Sequence, residues 1–499
     1  MMPAWLSQSL PPAVVLISLL AAILIFAAGE ARQRFRIVVN LLAAVIKFGL
    51  VVWIGLAVMA GNELEFRFDI LPRLELVLRA DALSVLFTSL SALLWLVTTV
   101  YAVAYLERDR NRARFFGFFS LCVTSTMGIA MAGNLFTFFL FYELLTLATW
   151  PLVVHSGSRE ALASGRLYLR YTLSGGVLLL AALVWIHGLA GDLNFTPGGF
   201  LAVHAQDHGV QLRLIFVLLV AGLGVKAALF PLHRWLPAAM VAPAPVSALL
   251  HAVAVVKAGA FGLIRVIEDI YGHALVVELG LQLPLLLLAG YTIVHGSVIA
   301  LRQTNLKLRL AWSTVSQVSY ILLGVTLGGQ LATIGGMVHL VHQGLMKITL
   351  FFCAGIFALL LGAKSLDQLD GMARRLPLVS VCFTVAALGM IGIPPIAGFI
   401  SKWYLASGAI AVGQPWVVAV LIASTLLNAA YFLPVIQRIW MRSPPADAMP
   451  MYDHGRLVHA SLVGAAVVTA GLSLVIGLLA AQPYSPLAWV ISVATEYLP

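Results

Sequence analysis

Apolar residues run along this chain in blocks of about twenty, from residue 10 to residue 481, separated by short polar stretches. A helix of about 20 apolar residues spans the ~30 Å hydrocarbon core of a bilayer. The alternating in–out pattern of a membrane β-barrel is absent from these blocks. Fourteen such segments are predicted, at about 10–29, 37–60, 82–104, 115–132, 135–154, 167–190, 212–230, 246–267, 275–300, 308–328, 331–361, 377–410, 415–440 and 457–481. The first segment is followed by Arg32, Arg34 and Arg36 and has no cleavage-site pattern, so it is expected to be a span and not a removed signal. The fold class is therefore an all-α polytopic membrane protein with about fourteen transmembrane helices.

Two of the segments carry a break. One follows Lys226 at Phe230-Pro231; the other contains Gly389-Met-Ile-Gly-Ile-Pro394-Pro395-Ile-Ala-Gly398. Proline removes a backbone donor and blocks the carbonyl four residues back. At membrane depth such opened backbone is tolerated only against protein or a hydrated cavity. Paired breaks suggest repeated halves around a transport site, as in many secondary carriers, against the plainer reading of packing kinks.

Composition confirms the class and adds a charge pattern. The chain is 61% hydrophobic and 10% charged, with a mean hydropathy of +1.00. The net charge of +10 resides in short loops rich in arginine, where it sets topology and implies no nucleic acid. Basic loops alternate with neutral or acidic ones, which places both termini outside and the arginines in the cytoplasm of a bacterial-type inner membrane. The segment 61–81 reads as a loop of mixed charge. Cys122, Cys353 and Cys382 stand singly in apolar runs and form neither a disulfide framework nor a metal site; no cofactor or metal is expected.

Lysine is used differently from arginine. Of seven lysines against 23 arginines, five fall within spans: Lys47, Lys226, Lys257, Lys347 and Lys402. An ammonium at the centre of a span costs roughly 2.5–3.5 kcal/mol even on the mildest scale. Arginine stays protonated in proteins, whereas a buried lysine can exchange its proton. Lys47 is expected to snorkel to an interface, as Lys402 can; Lys226, Lys257 and Lys347 are read as parts of a proton track. Glu143 is the span carboxylate that stands out, and beside an ammonium it would remain ionised. Glu30 and Glu278 lie near span ends and read as interfacial, as do His155 and His187. His251 precedes Lys257 by six residues; His339, Gln343 and Lys347 recur at i, i+4 and i+8 on one helix face, with His342 beside it. Histidine suits a relay near neutral pH. A paired-histidine haem site is the rival reading, but nothing else marks a porphyrin pocket.

These blocks resemble a known family. Lys226-Ala-Ala-Leu-Phe-Pro231, Trp235-Leu-Pro-Ala-Ala-Met240 and Ala242-Pro-Ala-Pro-Val-Ser-Ala-Leu-Leu-His-Ala252 through Lys257-Ala-Gly259 are similar to the signature of the antiporter-like subunits of respiratory complex I, Mrp-type cation/proton antiporters and membrane-bound hydrogenases. Asn305–Tyr320, His339–Gly355 and Gly392–Lys402 resemble the family's later blocks, and the match covers roughly 80–440.

The resemblance implies two inverted five-helix repeats, 115–267 and 268–440, flanked by N-terminal helices in 1–114 and a last helix in 441–499. It implies a hydrated axis in which Glu143 pairs with Lys226, Lys257 and His251 bridge, Lys347 and His339 follow, and Lys402 terminates the line. Where the family often has a second histidine, this chain has Gln343, so the relay is expected to use His342 or water. Lys402 is similar to the D-type Mrp subunit, whereas His251 with Lys257 is similar to the larger A-type. Ending soon after span 14, the sequence is expected to lack the long lateral helix of complex I's most distal subunit. The function so implied is a proton-conducting subunit of a multisubunit cation/proton antiporter or NADH:quinone oxidoreductase-like complex, with other membrane subunits as partners and H⁺, Na⁺ or K⁺ as the transported ions. Two alternatives remain: a stand-alone secondary ion transporter and a redox subunit holding quinone or haem.

Overall fold

A computed structural model describes residues 3–72, 74–444 and 455–497, without the side chains of Ala4, Leu71, His251 and Glu496. Twenty α-helices follow one another: α1 (Ala4–Ala28), α2 (Gln33–Met59), α3 (Ala82–Tyr105), α4 (Arg112–Ala130), α5 (Leu135–Val153), α6 (Arg159–Ala190), α7 (Ala205–Lys226), α8 (Trp235–Ala238), α9 (Ala244–Ala252), α10 (Val255–Arg265), α11 (His273–Glu278), α12 (Gln282–Arg302), α13 (Leu306–Leu327), α14 (Gln330–Leu361), α15 (Met372–Arg375), α16 (Pro377–Ile391), α17 (Ala397–Ala411), α18 (Pro415–Met441), α19 (Arg456–Leu478) and α20 (Pro486–Tyr497). Thirteen helical segments are long and apolar enough to cross a membrane. The half-helices α16 and α17 together supply a fourteenth, so the predicted count holds.

The helix ends follow local chemistry. Asp81, Asn134, Ser158 and Asn305 each accept a hydrogen bond from the backbone N–H three residues on, at 2.7–3.1 Å, which satisfies an otherwise orphaned donor in the first turn. Arginines serve the opposite ends. Arg36 donates to the Gly29 carbonyl at 2.5 Å, and Arg309 donates to the Leu301, Gln303 and Tyr431 carbonyls at 2.6–3.1 Å. Arg309 is thus a buried clamp on exposed helix carbonyls, where the sequence placed it among the loop charges.

Four features depart from the sequence reading. Residues 61–81 contain an antiparallel hairpin, β1 (Glu65–Leu71) with β2 (Leu74–Arg79); the alternation Phe66, Phe68, Ile70 against Arg67 and Asp69 is the strand period that a search for helices passes over. The eighth span is itself broken, α9 and α10 being separated at Val253-Ala254 with no proline there to announce it. Residues 231–243, between the seventh and eighth predicted segments, are folded inward and not an exposed loop, with Trp235 and Leu236 fully buried. Finally, α20 follows the last span and packs on α3 and α14, where Trp489 Nε1 donates to the Ala82 carbonyl at 2.8 Å.

The molecule has two distinct ends. The segments after α3, α5, α8, α12 and α14 converge around a cavity of ≈ 1120 Å³ bordered by Arg108, Asp109, Glu160, Lys307 and Lys364; this is the end of the basic loops. The hairpin, the 191–201 segment, residues 266–272 and α20 gather at the other. Arg79 there donates to the Phe195 carbonyl at 2.6 Å, and Thr196 N–H to the Asp269 carbonyl at 3.2 Å.

Candidate functional site: a buried lysine and histidine axis

The predicted residues lie on helices that pack in sequence: α5 beside α6, α6 and α10 beside α7, α10 beside α13, α13 beside α14, and α14 beside α17. Lys226 is the last residue of α7 and is fully buried. Its ammonium donates to the Tyr142 carbonyl and lies 3.3 Å from the centroid of the Tyr142 ring. A cation suits this place twice over, at the negative end of a helix and over an aromatic face. Helix α7 closes through Ala228 in the left-handed region at φ 57°, with Leu229 N–H reaching back to the Gly224 carbonyl at 2.9 Å. Trp235 Nε1 donates to the Val225 carbonyl at 2.6 Å, so the turn folded inward from the break fixes the end that carries the lysine.

Glu143 is next to Tyr142 on α5 and within coulombic reach of Lys226. The two are not in ion-pair contact among the described residues, and Glu143 Oε1 has no hydrogen-bond partner. Space for the carboxylate comes from Gly176 on α6: a Cβ there would lie 2.6 Å from Cδ and 2.8 Å from Oε2 of Glu143. Gly259 does the same between α10 and α7, since a Cβ would lie 2.8 Å from the Leu223 carbonyl oxygen and from the Lys226 carbonyl carbon.

Lys257, on the first turn of α10, is fully buried, and its ammonium has no hydrogen-bond partner among the described residues. It is within coulombic reach of His339 and Lys347. Lys347 is anchored on α13, donating to the Leu310 carbonyl at 3.1 Å and to the Ser313 hydroxyl. His339 Nδ1 is 2.8 Å from Ser401 Oγ, and its ring stacks on Tyr320 with centroids 5.2 Å apart. The Lys402 ammonium lies 5.6 Å from the same tyrosine ring, so Tyr320 adjoins both the histidine and the last lysine. Lys402 donates to the Met390 and Ile391 carbonyls at 3.0 and 2.8 Å, the free end of α16. The two broken helices are alike in that a lysine marks the carboxyl end of each first half: Lys226 is the last residue of α7, and the Lys402 ammonium lies on the terminal carbonyls of α16.

His342 and Gln343 are fully buried with no protein partner on any side-chain polar atom, as is Gln317. Lys47, expected at an interface, is also fully buried; it donates to Ser18 Oγ and lies 4.8 Å from the Trp95 ring. The Ser18 hydroxyl provides a partner inside, which removes the reason to snorkel. His251 belongs to α9, but its side chain is outside the described residues. His155 is buried against Asp109, 3.3 Å away, and Glu278 is exposed.

Sequence reasoning missed Tyr142, Ser313, Gln317, Tyr320 and Ser401. The signal for three of them was present: Ser313, Gln317 and Tyr320 fall at i, i+4 and i+7, a polar stripe on an apolar helix. It missed Asp269 and Glu268 as well. Glu143 is itself only half-buried, whereas Glu268 and Asp269 are buried, because a π-helical turn at Val266–Tyr271 carries the eighth span past its expected end.

The family described as NADH:quinone oxidoreductase/Mrp antiporter, TM, matches residues 132–435, and the N-terminal family of complex I chain 5 matches 72–116. NADH-quinone oxidoreductase subunit N of Desulforudis audaxviator is 37% identical over 359 residues, 71% of each chain. A putative antiporter subunit, mnhA2, of Staphylococcus aureus is 30% identical over 415 residues, 78% of this chain and 50% of its own length. Among solved structures, a chain of the Mrp complex from Dietzia sp. DQ12-45-1b superposes with a TM-score of 0.85 at 24% identity, over 99% of this chain and 98% of that one. A chain of the membrane-bound sulfane sulfur reductase, an archaeal respiratory membrane complex, does so with 0.86 at 23%, over 98% and 97%. At these identities the structural likeness is one of fold.

Proposed function

The chain belongs to the NADH:quinone oxidoreductase/Mrp antiporter family of membrane subunits, and on that premise we propose that it is a proton-conducting subunit of a multisubunit complex. Protons move along Glu143, Lys226, Lys257, His339, His342, Lys347 and Lys402, with His251 as a supporting group. The observation that carries this reading is the run of fully buried polar atoms on Lys257, Gln317, His342 and Gln343 that have no partner among the described residues, between the two helix breaks. Buried polar groups at this depth are satisfied by water, and water joins groups that do not touch. Glu143 governs how tightly Lys226 holds its proton, and the basic-end cavity is the intake from the cytoplasm.

The likeness of the two breaks supports a division into repeats 115–267 and 268–440. The arginine distribution supports a bacterial inner membrane with both termini outside. The partners are neighbouring membrane subunits, and Lys402 favours a D-type place in a cation/proton antiporter that exchanges Na⁺ or K⁺ for H⁺. The test compares proton transport by the assembled complex with that of the chain reconstituted alone. Transport by the assembly and none by the lone chain is expected; gradient-driven exchange by the lone chain at the rate of the complex would instead identify a stand-alone transporter.

A further inference from the structure

We propose that Glu268 is the proton-exchange group at the hairpin end of this axis, where a proton leaves the Lys257 helix for water on that side. The inference rests on the proton-conducting reading above and extends it from the axis to one membrane face.

The first observation is a charge imbalance. Arg265 is buried and donates to Asp81 at 2.7 and 2.8 Å, to Asp269 at 2.9 Å and to Ser84 Oγ at 3.0 Å. Arg79 lies 3.8 Å from Asp81. Among the described residues, two guanidiniums therefore face three carboxylates, and both are committed to the aspartates. Glu268 is 2% exposed and its Oε1 has no protein partner, while it lies within coulombic reach of Asp269 and Tyr497. A buried carboxyl left without a counter-charge takes up a proton instead of carrying fixed charge.

The second is register. Glu268 follows Lys257 by eleven residues; α-helical geometry would return it to within about 20° of the same face about 16 Å further along, and the π-helical last turn, which winds less per residue, shifts it only modestly from that register. The turn that carries Glu268 is π-helical, a local form frequent at functional sites.

The third is a polar ladder alongside. Helix α3 carries Ser84, Thr88 and Ser91 above Asp81, at spacings of three, four and three, all three buried. Phe87 of α3 stacks on Phe261 of α10 with centroids 4.8 Å apart, so the ladder runs beside the Lys257 helix. Ser91 Oγ has no protein partner and stands nearest mid-membrane. The hairpin-end cover is built from the Gly198 N–H, which donates to the Glu268 carbonyl at 2.9 Å, and Tyr497 of α20, whose hydroxyl is 3.4 Å from both Asp269 and Arg265.

In the step so assigned, the Lys257 ammonium gives up one proton, hydroxyls and water carry it, and the Glu268 carboxylate becomes a carboxylic acid. That acid then returns the proton to water; no other bond forms or breaks. Asp269 and Tyr497 of α20 lie within coulombic reach of Glu268; Arg265, Asp81 on α3 and Arg79 on β2 complete the charged cluster around Asp269, and the adjoining α11 carries His273, turned to the Thr326 carbonyl, and the exposed Glu278.

The test uses the assembled complex in proteoliposomes, with Lys226→Ala as a reference. Glu268→Gln is expected to lower proton transport at least tenfold with partner subunits retained, Glu268→Asp to keep transport but shift its dependence on hairpin-side pH, and a pH-dependent carboxylic C=O infrared band to disappear in Glu268→Gln and shift in Glu268→Asp. Wild-type transport and an unchanged infrared band in Glu268→Gln, with Lys226→Ala inactive, would overturn this inference and leave the proton-conducting reading standing. Wild-type transport in Lys226→Ala would overturn that reading itself. If Glu268→Gln fails to assemble, Glu268→Asp decides: an unshifted pH profile and band count against the proposal.

Discussion

Gly259→Ala is the smallest change that separates the two lysines at the centre of the account. Its new Cβ would lie 2.8 Å from the Leu223 carbonyl oxygen and from the Lys226 carbonyl carbon. The Ala227 backbone nitrogen would be closer still; ordinary contacts begin near 3.5 Å, so α10 and α7 must part by about 1 Å. None of the three neighbours is a side-chain tip that can rotate away; all are backbone of the turn that carries Lys226. Overpacking of this kind costs about 1–3 kcal/mol. The same displacement carries Lys226 and Lys257, on opposite sides of the contact, away from each other. Thermal unfolding of the purified complex and proton uptake into vesicles are measured together. A lower melting temperature and a several-fold drop in uptake are expected, with Gly259→Ser behaving alike. Wild-type stability and wild-type uptake in Gly259→Ala would refute the reasoning about this contact.

Arg265→Leu strips Asp269 of its counter-charge and leaves Asp81 only Arg79, 3.8 Å away, and breaking a buried ion pair by removing one partner costs about 3–5 kcal/mol; the variant is expected to accumulate poorly and to melt early, whereas Asp81→Asn with Asp269→Asn added to it recovers part of the loss. His155 lies beyond the end of α5, and burial holds its imidazole below the usual histidine range although Asp109 pulls the other way. A group whose folded-state value is depressed supports the fold above its unfolded value, about 6.5, and loses that support as pH falls. His155→Gln should therefore flatten the acid side of the stability curve below about pH 6.5, measured by melting temperature against pH, and an unchanged slope would contradict the assignment.

How much of this was legible in the chain can be argued from particular residues. Span count, both proline breaks and the lysines of the axis followed from hydropathy and from the cost of charge in hydrocarbon, because those effects act on each residue separately. What escaped depends on neighbours distant in sequence. Lys47 is buried because Ser18 and Trp95 meet it there. Arg265 with Asp81 joins residues 184 apart, and each looked ordinary alone, one near a span end and one in a loop. The break at Val253-Ala254 has no proline or glycine at it, so no local rule marks it. Tyr320 is one aromatic among many in the sequence, and only the fold brings His339 and Lys402 to its ring.

The central claim is that Lys226, fixed at the end of α7 beside Tyr142 and Glu143, must release and regain a proton. The direct measurement is proton transport by assembled complexes carrying Lys226→Ala or Lys226→Arg, with partner subunits quantified in the same preparation. Both variants are predicted to assemble and to lose coupled transport, the arginine variant because a guanidinium keeps its charge but does not give up its proton. Wild-type transport with Lys226→Arg would contradict the account.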